Sequence, residues 1–215
     1  MFVTFEGIEG SGKSTQIRHM ARYLEALGHN CLITREPGGT RIGADIRAIL
    51  LDPENSELDP VAELFLYAAD RRQHVQEFIR PALAEGKTVI CDRFHDSTVV
   101  YQGVSRALDR DLVKQCNDRI LEDLQPDITF LLDLAPEVGL RRAWQEFNQG
   151  GRQRRETRFE AEALDFHHKV RGGYLDLARK EPARFVVVDA AGDENTVRKA
   201  VLAALEAKLK TALYS

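Results

Sequence analysis

The sequence predicts an α/β fold, a doubly wound five-stranded parallel sheet with helices on both faces. Two observations carry that prediction. Five short runs, residues 2–6, 30–35, 88–92, 128–134 and 184–189, are rich in Val, Ile, Leu and Phe and lack the polar alternation of a half-exposed strand. Between them lie longer stretches whose apolar residues recur at helical spacing. Strand followed by helix, repeated along the chain, is the pattern of crossover connections and parallel pairing.

Each helix has its own stripe. After the first run, Ile17, Met20, Ala21, Leu24 and Leu27 share a face, and Gly28 is placed to end that helix in a left-handed turn. Ile42, Ile46, Ile49 and Leu50 form a second stripe. A long helical region over about 58–85 stops at Gly86, and the Arg80-Pro81 step is expected to bend it because proline lacks a donor. Helices are expected over 109–124 and 137–147. Phe159, Ala163, Phe166, Val170, Tyr174 and Leu177 mark another, interrupted at Gly172-Gly173, and a helix over 195–209 closes the chain. One stretch, residues 148–158, fits neither element: it is polar, broken by Gly150-Gly151, and carries Arg152, Arg154, Arg155 and Arg158.

Bulk properties bound the function. At 215 residues and 43% hydrophobic, the chain fits one domain over 1–215 with a buried core. The net charge of −4 provides no global basic field, so neither nucleic acid nor an anionic membrane is an expected partner. An anionic ligand would need a local cluster of cations. No apolar stretch approaches the ~20 residues of a membrane span. No basic-apolar-small leader opens the chain, and Cys31, Cys91 and Cys116 lack any CxxC pairing. They read as buried, reduced thiols of a cytoplasmic protein.

Sheets of this kind bind ligands at the carboxyl ends of their strands. Functional residues are therefore expected just after Glu6, Arg35 and Asp92. After Glu6 comes Gly7-Ile-Glu-Gly-Ser-Gly12-Lys13-Ser14, a G-x-x-x-x-G-K-S phosphate loop between a strand and a helix. Gly7, Gly10 and Gly12 let the backbone wrap a phosphate, and Glu9, Ser11 and Thr15 belong to the same nucleotide-binding segment. The helix N-terminus adds partial positive charge. Lys13 suits the β/γ phosphates and the Ser14 hydroxyl suits Mg²⁺. A switch GTPase needs an early D-x-x-G and an N-K-x-D. Here the D-x-x-G over 189–192 follows the last strand, and N-K-x-D is missing. A small ATP-dependent kinase with a second substrate opposite the loop is the remaining reading.

Three more motifs follow in order: Thr34-Arg-Glu-Pro-Gly-Gly-Thr40, Leu66-Tyr-Ala-Ala-Asp-Arg71, and Asp92-Arg-Phe-His-Asp-Ser-Thr-Val-Val-Tyr-Gln-Gly103. Together with the loop they resemble the thymidylate kinases, P-loop nucleoside monophosphate kinases, and the resemblance runs from about residue 1 to 180. It implies transfer from ATP to dTMP with Mg²⁺, and a homodimer. Asp92, ending a buried strand, can hold Mg²⁺ through water or orient Lys13, and Arg93 can bridge the two approaching phosphates. Tyr67 and Arg71, four apart on one helix face, can stack on a base and donate to its carbonyl edge. The family usually has Phe at the position of Tyr67.

By resemblance, Thr98 and Gln102 read the polar edge of thymine and Tyr101 crowds the ribose 2′ position. Glu36 and Pro37 wall the phosphate and metal, while Ser97 and Arg47 join the substrate contacts. Glu9 is expected to point away from the phosphates, toward the acceptor's 3′-hydroxyl or a metal-bound water. His95 reads as structural. None of the variable loop positions Ile8, Glu9, Gly10 and Ser11 is basic, so lid arginines, from Arg152, Arg154 and Arg155, are the expected catalytic cations. Arg158 matches the family's D-R-[FI]-E stretch, but Thr157 removes its usual ion-pair partner. The competing readings are a kinase for another acceptor and an ATP-binding module without turnover.

Overall fold

The structure, a computed structural model, describes residues 1–149 and 156–213. Five strands pair in parallel: β1 (Phe2–Glu6), β2 (Cys31–Arg35), β3 (Thr88–Asp92), β4 (Ile128–Asp133) and β5 (Phe185–Asp189), in the order β2-β3-β1-β4-β5. Each lies within one residue of its expected bounds. The helices are α1 (Lys13–Ala26), α2 (Arg41–Leu51), α3 (Pro60–His74), α4 (Arg80–Ala84), α5 (His95–Thr98), α6 (Arg110–Leu121), α7 (Pro136–Asn148), α8 (Leu164–Lys180) and α9 (Glu194–Leu213).

Alternation along the central strands builds two cores. Val3 and Phe5 of β1 and Ile90 of β3 face α1, α8 and α9, where Ile17, Met20, Tyr174 and Leu205 are buried. Phe2, Val89 and Cys91 face the other way, onto Val75, Ile79 and Leu121. Full cover holds for β1, β3 and β4 but not for the outer strands. Ile33 of β2 and Val187 of β5 are each 49% exposed. An outer strand has a neighbour on one side only, and the helices cover the centre of the sheet better than its margins. Of the cysteines, Cys91 is buried, whereas Cys31 and Cys116 are half-buried; all three are unpaired.

Two expected interruptions are resolved differently. The long helical region is continuous from α3 to α4, through a π-helical turn over Val75–Ile79. Pro81 cannot donate to the preceding turn, and the wider winding sits just ahead of it. A second π-helical turn, Val99–Ser105, carries α5 onward. Gly172-Gly173 does not interrupt α8. A Cβ at Gly173 would lie 3.1 Å from Val100 Cγ1, so this glycine lets the helix approach the second π turn. Phe159 lies ahead of α8, in the loop that leads to it.

Another close approach shapes the loop after β1. Gly10 has φ +67°, and a Cβ there would meet Gly139 O at 2.1 Å. A Cβ on Gly139, in the first turn of α7, would meet Glu9 O at 2.5 Å and Ile8 Cδ1 at 2.7 Å. Backbone therefore rests on backbone. Gly139→Ala should shift the loop and cost about 1–3 kcal/mol of stability, with weaker ATP binding. Urea unfolding and nucleotide titration check this; unchanged values for both would show that the contact is slack.

Candidate active site

A cleft of about 510 Å³ opens at the carboxyl ends of the strands. The order reverses between β1 and β3, which leaves a crevice there. The β1–α1 loop contributes Glu9, Gly10, Ser11, Gly12, Lys13, Ser14 and Thr15, and the β2–α2 side contributes Glu36, Pro37 and Arg47. Tyr67 and Arg71 come from α3; Asp92, Arg93, Ser97, Thr98, Tyr101 and Gln102 follow β3. Gly7 stands apart from the lining. Its φ is +133°, and a Cβ would lie 2.5 Å from Leu132 O, so it packs the loop onto β4. Leu51, Phe94 and Phe159, together with Arg18 and Arg35, line the cleft without having been expected there.

The Lys13 ammonium is buried and donates to Gly7 O (3.0 Å) and Ile8 O (2.8 Å), which curls the loop around its own lysine. Burial, with Arg93 nearby, lowers its pKa to about 8. Ser14 Oγ donates to Asp92 Oδ2 at 2.9 Å. A hydroxyl and a carboxylate side by side beneath a phosphate loop suit a hard cation such as Mg²⁺. Among the described residues, no group of three or more His, Cys, Asp or Glu forms a ready-made metal cage. An ion here would complete its shell with phosphate and water oxygens.

Arg93 has φ +68°, a left-handed turn that costs a non-glycine residue about 1–2 kcal/mol. Its N–H donates to Phe5 O at 2.9 Å, and the next N–H, on Phe94, donates to Glu6 Oε1 at 2.8 Å. The turn sends the guanidinium back into the cleft. There it donates to Glu9 Oε1 (2.9 Å) and Tyr174 Oη (3.1 Å), 5.1 Å above the Tyr101 ring. Glu9 also accepts from Tyr101 Oη at 2.5 Å. Burial alone would raise the Glu9 pKa, but Arg93, with His167 and Lys13, overrides it and holds the carboxyl well below its usual range. His167 is fully buried with Nδ1 3.3 Å from Glu9 Oε2.

The opposite wall is a buried ionic network. Arg71 donates Nε to Glu36 Oε2 (2.7 Å), Nη1 to Thr98 Oγ1 (2.8 Å) and Asn117 Oδ1 (3.3 Å), and Nη2 to Phe94 O (3.1 Å). Four of its five N–H groups are thus engaged within the protein. The other Glu36 oxygen meets His74 Nδ1 at 2.9 Å. Burial pushes the Glu36 pKa up, Arg71 and His74 outweigh it, and the net shift is downward. Gln102 donates to Glu63 at 2.7 Å. Arg47 makes a two-pronged pair with Glu156 (2.8 and 2.9 Å) and donates to Pro37 O at 2.9 Å.

A family model described as thymidylate kinase matches residues 5–201. The chain is 57% identical over 206 residues to the thymidylate kinase of Desulfosudis oleivorans, covering 96% of each chain. It is 57% identical over 191 residues to that of Syntrophotalea carbinolica, covering 89% of this chain and 88% of the relative. The chain belongs to the thymidylate kinase family. A crystal structure of the Ehrlichia chaffeensis thymidylate kinase superimposes with a TM-score of 0.76 at 36% identity, over 95% of this chain and 98% of the other. This is a P-loop kinase fold, and the chain is a nucleoside monophosphate kinase that phosphorylates dTMP.

Within the thymidylate kinase motifs, Arg158 sits differently from expectation. Arg158 does have an ion-pair partner. It is Glu63, 2.5 Å from Nη2, on α3, and Nη1 donates to Leu50 O at 3.0 Å. The guanidinium is buried and anchors residue 158 outside the cleft lining. Arg152, Arg154 and Arg155, with the Gly150-Gly151 pair, lie outside the described residues. His95 is buried off the cleft, with its ring edge against Phe94. Glu6, Tyr174 and His167 surround the site without having been singled out, because each reads as an ordinary residue of an apolar run or helix stripe.

Burial and the Asp96 charge push the Glu6 pKa up to about 7. The unfolded chain releases that proton near ~4.3, so the folded state holds more protons over this window and stability falls as pH rises through it. Asp70, raised to about 6 by burial and Glu36, acts in the same direction. Glu6→Gln should therefore make the stability profile shallower between pH 4.5 and 7.5, measured by urea titration at each pH. An unchanged slope would show that Glu6 is ionised throughout.

Proposed function

We propose that the chain transfers the γ-phosphoryl group of ATP to dTMP, with Mg²⁺, giving ADP and dTDP. One observation carries the reading. The phosphate loop with Lys13, Ser14, Asp92 and Arg93 and the wall of Tyr67, Arg71, Thr98 and Gln102 line one cleft from opposite sides. The acceptor phosphate is anionic at neutral pH, so the reaction needs positioning and charge neutralisation rather than a general base.

In this reading the loop N–H groups and Lys13 hold the β and γ phosphates, while Ser14 and Asp92 hold Mg²⁺. The ion would draw the phosphate oxygens together and offset their charge. Arg93 reaches between donor and acceptor phosphates. Tyr67 stacks on the base, and Arg71 supplies its remaining N–H, with Thr98 and Gln102, to the base edge. Tyr101 crowds the ribose 2′ position. Arg47, Glu36, Pro37 and Ser97 complete the acceptor side. Residues 148–158 act as a lid within a single domain. Arg152, Arg154 and Arg155 supply the charge on the transferring group that the non-basic loop lacks.

A homodimer is supported by Ile42 and Ile49 of α2 and Phe65 of α3, which remain 41–53% exposed on two helices packed together. No described helix is long and apolar enough to cross a membrane. Three unpaired cysteines suit the reducing cytoplasm.

An ADP-release assay across nucleoside monophosphates tests the whole reading. dTMP should give the highest kcat/KM, and Lys13→Ala should lower kcat more than about tenfold. ATP binding with no stimulation by any acceptor would overturn it. Glu9 gives a sharper test. Its carboxylate faces Arg93 and Tyr101, in keeping with an acceptor-side contact to the sugar 3′-hydroxyl. A dTMP analogue lacking that hydroxyl should lose about tenfold or more in kcat/KM with the native protein and much less with Glu9→Ala. Equal losses would remove Glu9 from the sugar site.

A further inference from the structure

We infer that Glu6 is a positioning residue for Arg93: it fixes the left-handed turn of the Arg93 backbone and the direction of its guanidinium. Glu6 is the last residue of β1, fully buried and outside the cleft lining, so it is placed to act through another group rather than on a substrate.

Its two oxygens hold Arg93 from both ends. Oε1 accepts the N–H of Phe94, the residue that leaves the strained turn, at 2.8 Å. Oε2 accepts Ser97 Oγ and Tyr174 Oη, each at 2.7 Å. Those two hydroxyls lie 3.4 and 3.1 Å from Arg93 Nη1. A hydroxyl has one proton to give. Above the Glu6 pKa of about 7 the carboxylate can only accept, so each hydroxyl, though 2.8 Å from the other, turns its proton to Glu6 and its lone pairs to the guanidinium. Arg93 is then strung between these hydroxyls and Glu9, which takes Nη2 at 2.9 Å.

Simple packing would not need a carboxylate here. Glutamine has nearly the same volume, but its amide N–H₂ would face the hydroxyls, turn their protons around and point one at the guanidinium. The other charged groups that face Glu6 are Asp96 and Lys13, and Asp96 is engaged by Arg184 at 2.6 and 2.9 Å.

The inference rests on the reading that Arg93 touches the reacting phosphates, and a double-mutant cycle separates the two. Steady-state kcat and KM would be measured for the native protein, Glu6→Gln, Arg93→Ala and the double variant. Glu6→Gln should lower kcat by about tenfold, with KM for dTMP and ATP within about threefold of native. In the Arg93→Ala background it should lower kcat by less than about twofold, since there is no guanidinium left to aim. A Glu6→Gln enzyme with near-native kcat would overturn the inference. So would an equal loss in both backgrounds, the mark of a general structural role. If Arg93→Ala alone keeps native kcat, the phosphate assignment of Arg93 fails first, and that arm reports it. Should Glu6→Gln not fold, Tyr174→Phe removes one of the two relaying hydroxyls and carries the same cycle with the same expected and overturning results.

Discussion

The pairing of β1 with β3 is the constraint on which the site depends. Its register sets Phe5 opposite Asp92. Everything that follows the two strands therefore emerges at one level: the phosphate loop from β1, and Asp92 with Arg93 from β3. The Ser14–Asp92 hydrogen bond and the Arg93 N–H to Phe5 O bond are direct readings of that register. A slip of one residue would exchange the faces of β3. Ile90 would leave one core, Val89 and Cys91 the other, and Arg93 would turn out of the cleft.

The acceptor wall depends on a second assembly, in which α3 ties down the loop after β2. His74 bridges Glu36 and Thr34, and Asp70 accepts the Gly38 N–H at 2.9 Å. The loop lies so close to α3 that side chains would not fit. A Cβ on Gly39 would come within 2.6 Å of the His74 ring, and one on Gly43 within 2.3 Å of Asp70 Oδ1. Within the Thr34–Thr40 motif Gly39 thus serves the packing of the loop on α3 and Gly38 its packing against Arg47 of α2, while Gly43, beyond the motif, does the same for α2 on α3; the motif's Glu36 fixes Arg71 in place.

Much of this was legible in the sequence because the strongest signals are local. A phosphate loop needs glycines at set spacings, and buried strands need unbroken apolar runs. Both survive without knowledge of the tertiary structure, and of the described residues assigned to phosphate, metal or substrate contacts all but Gly7 line the cleft. What escaped was set by contacts distant in sequence. Glu6 lies 168 positions from its partner Tyr174, and Glu63 lies 95 from Arg158. Nothing in the Thr157-Arg158 pair announces that its counter-charge comes from α3. Gly172-Gly173 misled for a related reason. A glycine pair weakens a helix in isolation, but in the fold one of the two, Gly173, leaves the space into which Val100 packs. The winding of the Val75–Ile79 turn was displaced from the expected proline step because a missing donor is felt by the preceding turn, not at the proline itself.

The charge arrangement follows from the ligand the cleft is built to take. Lys13, Arg93, Arg71 and Arg47 would be costly to bury unpaired, and each is held by groups of the protein: loop carbonyls for Lys13, Glu9 for Arg93, Glu36 for Arg71, Glu156 for Arg47. These partners differ in permanence. Glu36 is buried and also grips His74, so Arg71 is fixed whether or not a nucleotide is bound. Glu156 is 23% exposed and reaches Arg47 from the end of the 148–158 segment. A phosphate presented to Arg47 offers the same planar fork two oxygens at higher charge, so it competes with Glu156 on favourable terms. Arg71, whose neutralising carboxylate is buried and shared with His74, acts as framework. Arg47, whose carboxylate comes from the edge of the cleft, has a pairing that can change when phosphate arrives.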